Sequence, residues 1–167
     1  MNNYTVIPRL LRILLATLLL VSLQVSAEVI KVPGTTLLMT PPAGFTLSKD
    51  FTGFENRQTK SSIMIVEFPK SSYSELAALF LDINLAQENF SPIGVSVLGQ
   101  KNIVLTANKA TVLFLSGIQA YKDKEVGKYL ALVEGDKTVL ISFNIFDETV
   151  SHENIIIESV KSIRLED

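Results

Sequence analysis

The sequence predicts an α+β fold: an antiparallel sheet with helices packed on it, forming one domain over residues 28–167. Three observations predict it. Several segments alternate apolar and polar residues, or are apolar throughout, and are separated by Gly, Pro or charged turns. Two other segments repeat their apolar residues at three- and four-residue steps, the period of a helix face. The connections between the last four extended segments are short, and short connections require antiparallel neighbours.

The elements follow in order. Glu28 to Thr35 is a lead, with Pro33-Gly34 as a stop, and Thr36 to Thr40 forms a first strand. Pro41-Pro42-Ala43-Gly44 turns the chain, because Pro fixes φ and Gly takes the permissive position. Phe45 to Leu47 then re-enters the core. Gly53 to Arg57 and Ser62 to Phe68 are strands joined by Gln58 to Ser61. In the second, Ile63, Met64, Ile65, Val66 and Phe68 load both faces, which predicts an inner strand covered on both sides. Ser72-Tyr73-Ser74-Glu75 has the spacing of a capping box. It opens a helix whose apolar face is Leu76, Leu79, Phe80, Ile83 and Phe90, stopped by Ser91-Pro92 and Gly94.

Four strands follow, Val95 to Leu105, Ala110 to Tyr121, Gly127 to Glu134 and Thr138 to Phe146. Lys122 to Glu125 is a charged loop and Gly135-Asp136 a tight hairpin. In the last strand Val139, Ile141, Phe143 and Ile145 share one face, with Leu140 and Phe146 on the other. Ser151 caps a second helix, Glu153 suits the positive end of its dipole, and Val150 and Ile155 stand at staple spacing. Ile156, Val160 and Ile163 form its buried stripe.

Residues 1–27 read as a cleavable signal peptide. Arg9 and Arg12 precede or flank an apolar run, Ile13 to Val21, and the segment ends Val25-Ser26-Ala27, small residues where a peptidase cuts. The cut is placed before Glu28. A retained membrane anchor is the alternative, but the run from Leu10 to Val25 is shorter than the ~20 apolar residues of a spanning helix. The expected location is therefore periplasmic or secreted, in a bacterium. The chain holds no cysteine, which excludes disulfides, thiolate zinc sites, cysteine nucleophiles and lipid attachment at a cysteine. The 140 residues after the cut suffice to bury about two-thirds of the unfolded surface without such staples.

Full-length charge is −2, and losing Arg9 and Arg12 takes it to −4. No basic stripe offers itself to phosphates, so nucleic acid is not an expected partner. The only histidine is His152, read as packing or capping, and one histidine makes neither a triad with its orienting acid nor a zinc site of the usual ligands. Asp82 and Glu88 on the first helix, and Asp147 and Glu148 before the second, read as solvated charges. No glycine-rich phosphate loop occurs. The sequon Asn89-Phe90-Ser91 carries meaning only in a eukaryotic secretory host. No catalytic residue, metal ligand or cofactor is assigned.

The layout resembles the PsbP-like superfamily, including the bacterial DcrB-like domains. The matching stretches are Pro42-x-Gly44-Phe45 followed by Gly53-Phe54, then Ser62-Ile63-Met64-Ile65-Val66 leading to the Ser72–Glu75 helix start. Asn108-Lys109-Ala110 before a long strand and Lys128-Tyr129-Leu130 before the last hairpin complete it. The resemblance implies an αβα sandwich that binds or assembles with other proteins. Plant and cyanobacterial members attach to the lumenal side of photosystem II. PsbP itself uses a longer N-terminal segment for this than Glu28 to Thr35.

Two features carry the functional expectations. Ala78, Leu81 and Leu85 project opposite the buried stripe of the first helix, and are expected to meet a partner or a second copy of the chain, or to be covered by the Glu28–Thr35 lead or a loop. Ser116, Gln119, Ser142 and Asn144 interrupt apolar strands. They either line a small cleft between sheet and helix or are hydrogen-bonded structural positions. The leading expectation is an exported, non-enzymatic binding or assembly-factor domain whose partner is a protein of the envelope or of a membrane complex. The alternative is a periplasmic carrier of a small apolar ligand.

Overall fold

The computed structural model describes residues 28–122, 124–146 and 152–166. Ten strands form two sheets: β1 (Ile30–Lys31), β2 (Leu37–Met39), β3 (Thr46–Leu47), β4 (Gly53–Asn56), β5 (Ser61–Pro69), β6 (Val95–Val104), β7 (Thr111–Tyr121), β8 (Lys124–Val133), β9 (Lys137–Ile145) and β10 (Arg164–Leu165). The large sheet has the order β3-β4-β5-β9-β8-β7-β6 and the small one β1-β2-β10, with every pairing antiparallel. The helices are α1 (Tyr73–Leu81), α2 (Ile83–Phe90) and α3 (Glu153–Lys161). The α+β class and the helix-on-sheet layering read from the sequence are those of the structure.

Chain order explains the layering. β5 lies in the middle of the large sheet and β6 at its far edge. The chain must cross over β9, β8 and β7 between them, and α1 and α2 make that crossing on one face. Leu113, Leu115, Leu130 and Leu132 of β7 and β8 are buried there with Ala77, Phe80 and Ala86. The opposite face is closed by α3 and the small sheet. Ile156, Val160 and Ile163 meet Val32, Leu37 and Met39 over Ile63, Phe114, Ile141 and Phe143. The alternation expected of the last strand holds, with Val139, Ile141, Phe143 and Ile145 all buried and Leu140 on the other side.

Several expectations are corrected. The first helix is broken. Asp82 takes an extended conformation (φ −126°, ψ 108°) and its carboxylate accepts from the amides of Asn84 and Leu85 at 2.9 and 3.2 Å, capping a new helix. Ile83, expected in the buried stripe, is therefore 39% exposed in the first turn of α2. The Ser72 capping box does not form. A 3-10 turn, Lys70–Ser72, leads into α1, and Ser72 is itself near-helical (φ −76°, ψ −12°) with no side-chain cap bond. A capping side chain needs the extended backbone that Ser72 lacks. The Lys122–Glu125 loop shrinks because Tyr121 pairs with Lys124, so β8 begins three residues earlier than expected. Val150 and Ser151, the expected staple and cap, lie outside the described residues, and His152 occupies the N-cap position of α3.

β5 is an inner strand, but it is not covered on both sides. Ile63 and Ile65 are buried, whereas Met64 and Val66 are 43% and 45% exposed. The same strand carries Glu67, whose carboxylate accepts from the Thr36 amide at 2.6 Å, the Thr36 hydroxyl at 2.7 Å and the Lys137 ammonium at 2.6 Å. It thereby fixes the entry to β2, and so the small sheet, against β5 and β9. Burial works to raise the Glu67 pKa, but the Lys137 ammonium and the Thr36 donors outweigh it and hold it below the usual Glu value. On the other edge of β5, Gly53 has φ +139°, and a Cβ there would stand 1.9 Å from the Ile63 carbonyl oxygen.

Two predictions follow from these junctions. A carboxyl with a depressed folded pKa contributes stability in full above its unfolded pKa of about 4.3 and loses it as pH falls through the folded value. Glu67→Gln is expected to cost about 1–3 kcal/mol at pH 7 in urea denaturation, with the gap to the parent closing below about pH 4. A gap independent of pH would contradict the ionic role. Gly53→Ala combines a disfavoured φ with a backbone clash and is expected to cost roughly 3 kcal/mol or more, read as a lowered thermal midpoint.

Candidate functional site

The crossing helices roof only the strands they cross. Along β9 the residues on their side are Thr138, which is buried, and Leu140, Ser142 and Asn144, which are all half-buried, while Val139, Ile141, Phe143 and Ile145 are buried. Beyond β9, Val66 and Met64 of β5 continue this face with no helix above them. Register assembles the surface. Met64 stands opposite Ser142, which stands opposite Leu130; Ser62 stands opposite Asn144, which stands opposite Lys128. The result is a bare corner of sheet with an apolar upper part, Val66 and Met64, and a polar lower row.

The polar row is internally bonded. The Lys128 ammonium donates to Ser142 Oγ at 2.8 Å and Asn144 Oδ1 at 2.6 Å, and Asn144 Nδ2 donates to Ser62 Oγ at 3.1 Å. Glu55, opposite Ser62 on β4, continues the row and accepts from both Arg57 Nε at 3.0 Å and Arg57 Nη2 at 2.8 Å. Lys128 has a different environment from Arg57. Its ordinary pKa is lowered by burial, and among the described residues no carboxylate offsets that loss of water.

Of the four polar residues expected to line a cleft, the structure brings Ser142 and Asn144 together, on the bare corner. Ser116 pairs with Tyr129, on the opposite face with Phe114 and Phe143, and is 7% exposed. Gln119 spends its side chain on the Ile93 carbonyl at 3.0 Å, holding the turn after α2. The four therefore do not share one cleft. Between α2 and the sheet the void beside Phe90, Leu115 and Lys128 measures about 10 Å³, room for about one water.

Ala78 and Leu81 lie at the surface of α1, Leu81 being 61% exposed, whereas Leu85 is half-buried on α2 beyond the Asp82 break. The three do not form one helical stripe. The Glu28–Thr35 lead does not cover them either. Val32 is buried in the opposite layer and β1 pairs with β2 there. Asp82 is the helix cap described above and Glu88 is exposed; Asp147 and Glu148 lie outside the described residues. Asn89 turns its amide back to the Leu85 carbonyl at 2.8 Å. His152 borders a groove of about 260 Å³ with Pro42, Phe45 and Ile155. Among the described residues no three of His, Asp and Glu stand close enough to hold a metal ion.

Neither Lys128, named above only within the Lys128-Tyr129-Leu130 stretch, nor Glu67 has a role assigned from sequence. Glu67 carried a signal, as a lone carboxylate in the apolar run Ile63 to Phe68. Lys128 carried none, because its partners come from the neighbouring strand. The Asn144 amide serves both sides of the row, so Asn144→Ala is expected to cost about 1–2 kcal/mol in urea denaturation. An unchanged midpoint would show that the row is not held together as described.

No protein-family model matches the chain, and no curated protein matches it. Among solved structures, a crystal structure at 1.50 Å of a protein from Bacteroides thetaiotaomicron VPI-5482 is similar, with a TM-score of 0.46 and 13% identity over 79% of this chain and 46% of that one. The chain thus spans less than half the length of that neighbour.

Proposed function

We propose that the chain is an exported, non-enzymatic binding or assembly domain of the cell envelope, of the PsbP-like and DcrB-like kind, and that it binds through the bare corner of its sheet. One observation carries the reading: Met64 and Val66, on an inner strand of the large sheet, are nearly half exposed. An antiparallel sheet commonly leaves one face to water, and that face is then polar; here it carries two large apolar side chains, and an apolar patch bordered by polar groups is the usual form of a protein contact surface. The leader, with its positive flank, short apolar run and small-residue end, supports export. Among the described residues no helix is long and apolar enough to cross a membrane. The expected partner is a protein of the envelope or of a membrane complex.

The carrier reading has less support. A small apolar ligand needs an enclosed chamber of roughly 300 Å³ or more; the grooves of about 450 Å³ beside Tyr121 and Phe146 and about 400 Å³ beside Pro41 and Ile155 are open to the surface, and between α2 and the sheet the void is about 10 Å³. The test joins location to surface. Expressed in a Gram-negative host, the protein is expected in the periplasmic fraction with a mass beginning at Glu28. With a photo-reactive residue at Val66 in the native host, it is expected to yield a cross-linked protein that the same residue at exposed Thr111 does not yield. A leader-bearing protein in the cytoplasm would end the export reading, and equal cross-linking at both positions would end the assignment of the surface.

A further inference from the structure

Lys31, Arg57, Lys101, Lys137 and Lys161 each reach a carboxylate, and their side chains are 41% to 69% exposed. Lys128 is half-buried in the large sheet and makes no ion pair among the described residues. Among the described residues its acceptors are the neutral Ser142 hydroxyl and Asn144 amide oxygen, which leaves one of its three N–H donors without an assigned acceptor there. A shielded ammonium without a counter-charge is costly to the free domain. It stands at the border of the corner that also exposes Met64 and Val66.

We propose that Lys128, positioned by Ser142 and Asn144, is the anion-reading point of the bare corner, and that its occupant is a protein segment carrying an Asp or Glu beside apolar residues. The inference rests on the reading of that corner as a contact surface and adds the chemistry of what is contacted. Three features select this occupant. The charge to be met is single, because Arg57, at the other end of the row, is already satisfied by Glu55. A singly charged carboxylate matches one ammonium better than a doubly charged phosphate does. The surface is a sheet face: neither Met64, Val66, Ser142 nor Asn144 lines any of five grooves found among the described residues, and the void that Lys128 borders measures about 10 Å³. It therefore lacks the concavity that holds a small carboxylic acid. A single lysine is also a poor match to an anionic lipid surface, which is read by clustered basic residues.

The test uses the full chain in its native host, with the photo-reactive residue at Val66. Cross-linked protein is mapped by mass spectrometry. The expected adduct lies in a partner segment containing Asp or Glu. Lys128→Gln retains an amide donor for Ser142 or Asn144 and removes the charge, and is expected to lower the adduct yield roughly 10- to 100-fold. Replacing the mapped partner acid by its amide is expected to do the same, and the two changes together to do little more than either alone. This partner-side variant carries the test by itself where a thermal melt shows Lys128→Gln to be unfolded. An adduct undiminished by both neutral variants would overturn the inference and leave the contact surface standing. Absence of any adduct at Val66 would remove both. An adduct on lipid would overturn the choice of a protein partner.

Discussion

One carboxylate ties the small sheet of this domain to the large one. Glu67 sits near the end of β5 and receives the amide and hydroxyl of Thr36 and the ammonium of Lys137. Those donors come from the entry to the small sheet and from β9. Without that junction nothing polar would fix the small sheet to this end of the large one, and the burial of Val32, Leu37 and Met39 depends on its seating. At the other end of β2, the Thr40 carbonyl accepts from Ser159 of α3 at 2.6 Å, and its amide donates to Ser162 at 2.8 Å. Hydrophobic burial supplies most of the driving force on this face. The directional bonds at its two ends choose one seating among many that would bury similar area, since apolar contact alone is non-directional.

The bare corner is a consequence of topology rather than of composition. A strand order in which β6 to β9 fold back to reach β5 obliges the crossing segment to lie over β9, β8 and β7. Two short helices cannot roof the whole of a seven-stranded sheet. Whatever lies beyond the crossing is open on that face, and here it is β5 with Met64 and Val66. The polar row from Lys128 to Ser62 runs along this open region, where half-buried hydrogen-bonding groups retain access to water.

Much of the architecture was legible in the sequence because its signals are local. The alternation of β9, the apolar run of β5, the Gly135-Asp136 hairpin and the stripe of α3 each depend on residues a few positions apart. What escaped was either too short or too distant. β1 and β10 are two-residue strands, below the length at which a period exists. The break at Asp82 hides inside a helical repeat, because an aspartate that caps and an aspartate on a wet helix face look alike in sequence. Ser142 and Asn144 were correctly placed on one face, but Lys128 joins them only through the β8–β9 register. Ser116 was grouped with them because a polar residue in an apolar strand does not announce which side of the sheet it serves.

One edge of the large sheet is β6, ten residues long, and the register between Val97 and Gly99 slips at Leu98. A bulge of this kind bends an edge and interrupts its row of free amides and carbonyls. The other edge, β3, has two residues. The sheet is thus finished at both ends: one margin is kinked and the other is too brief to template a foreign strand. A β-rich chain lacking disulfides gains from this a defence against fibril-like stacking in the crowded moments before it has folded.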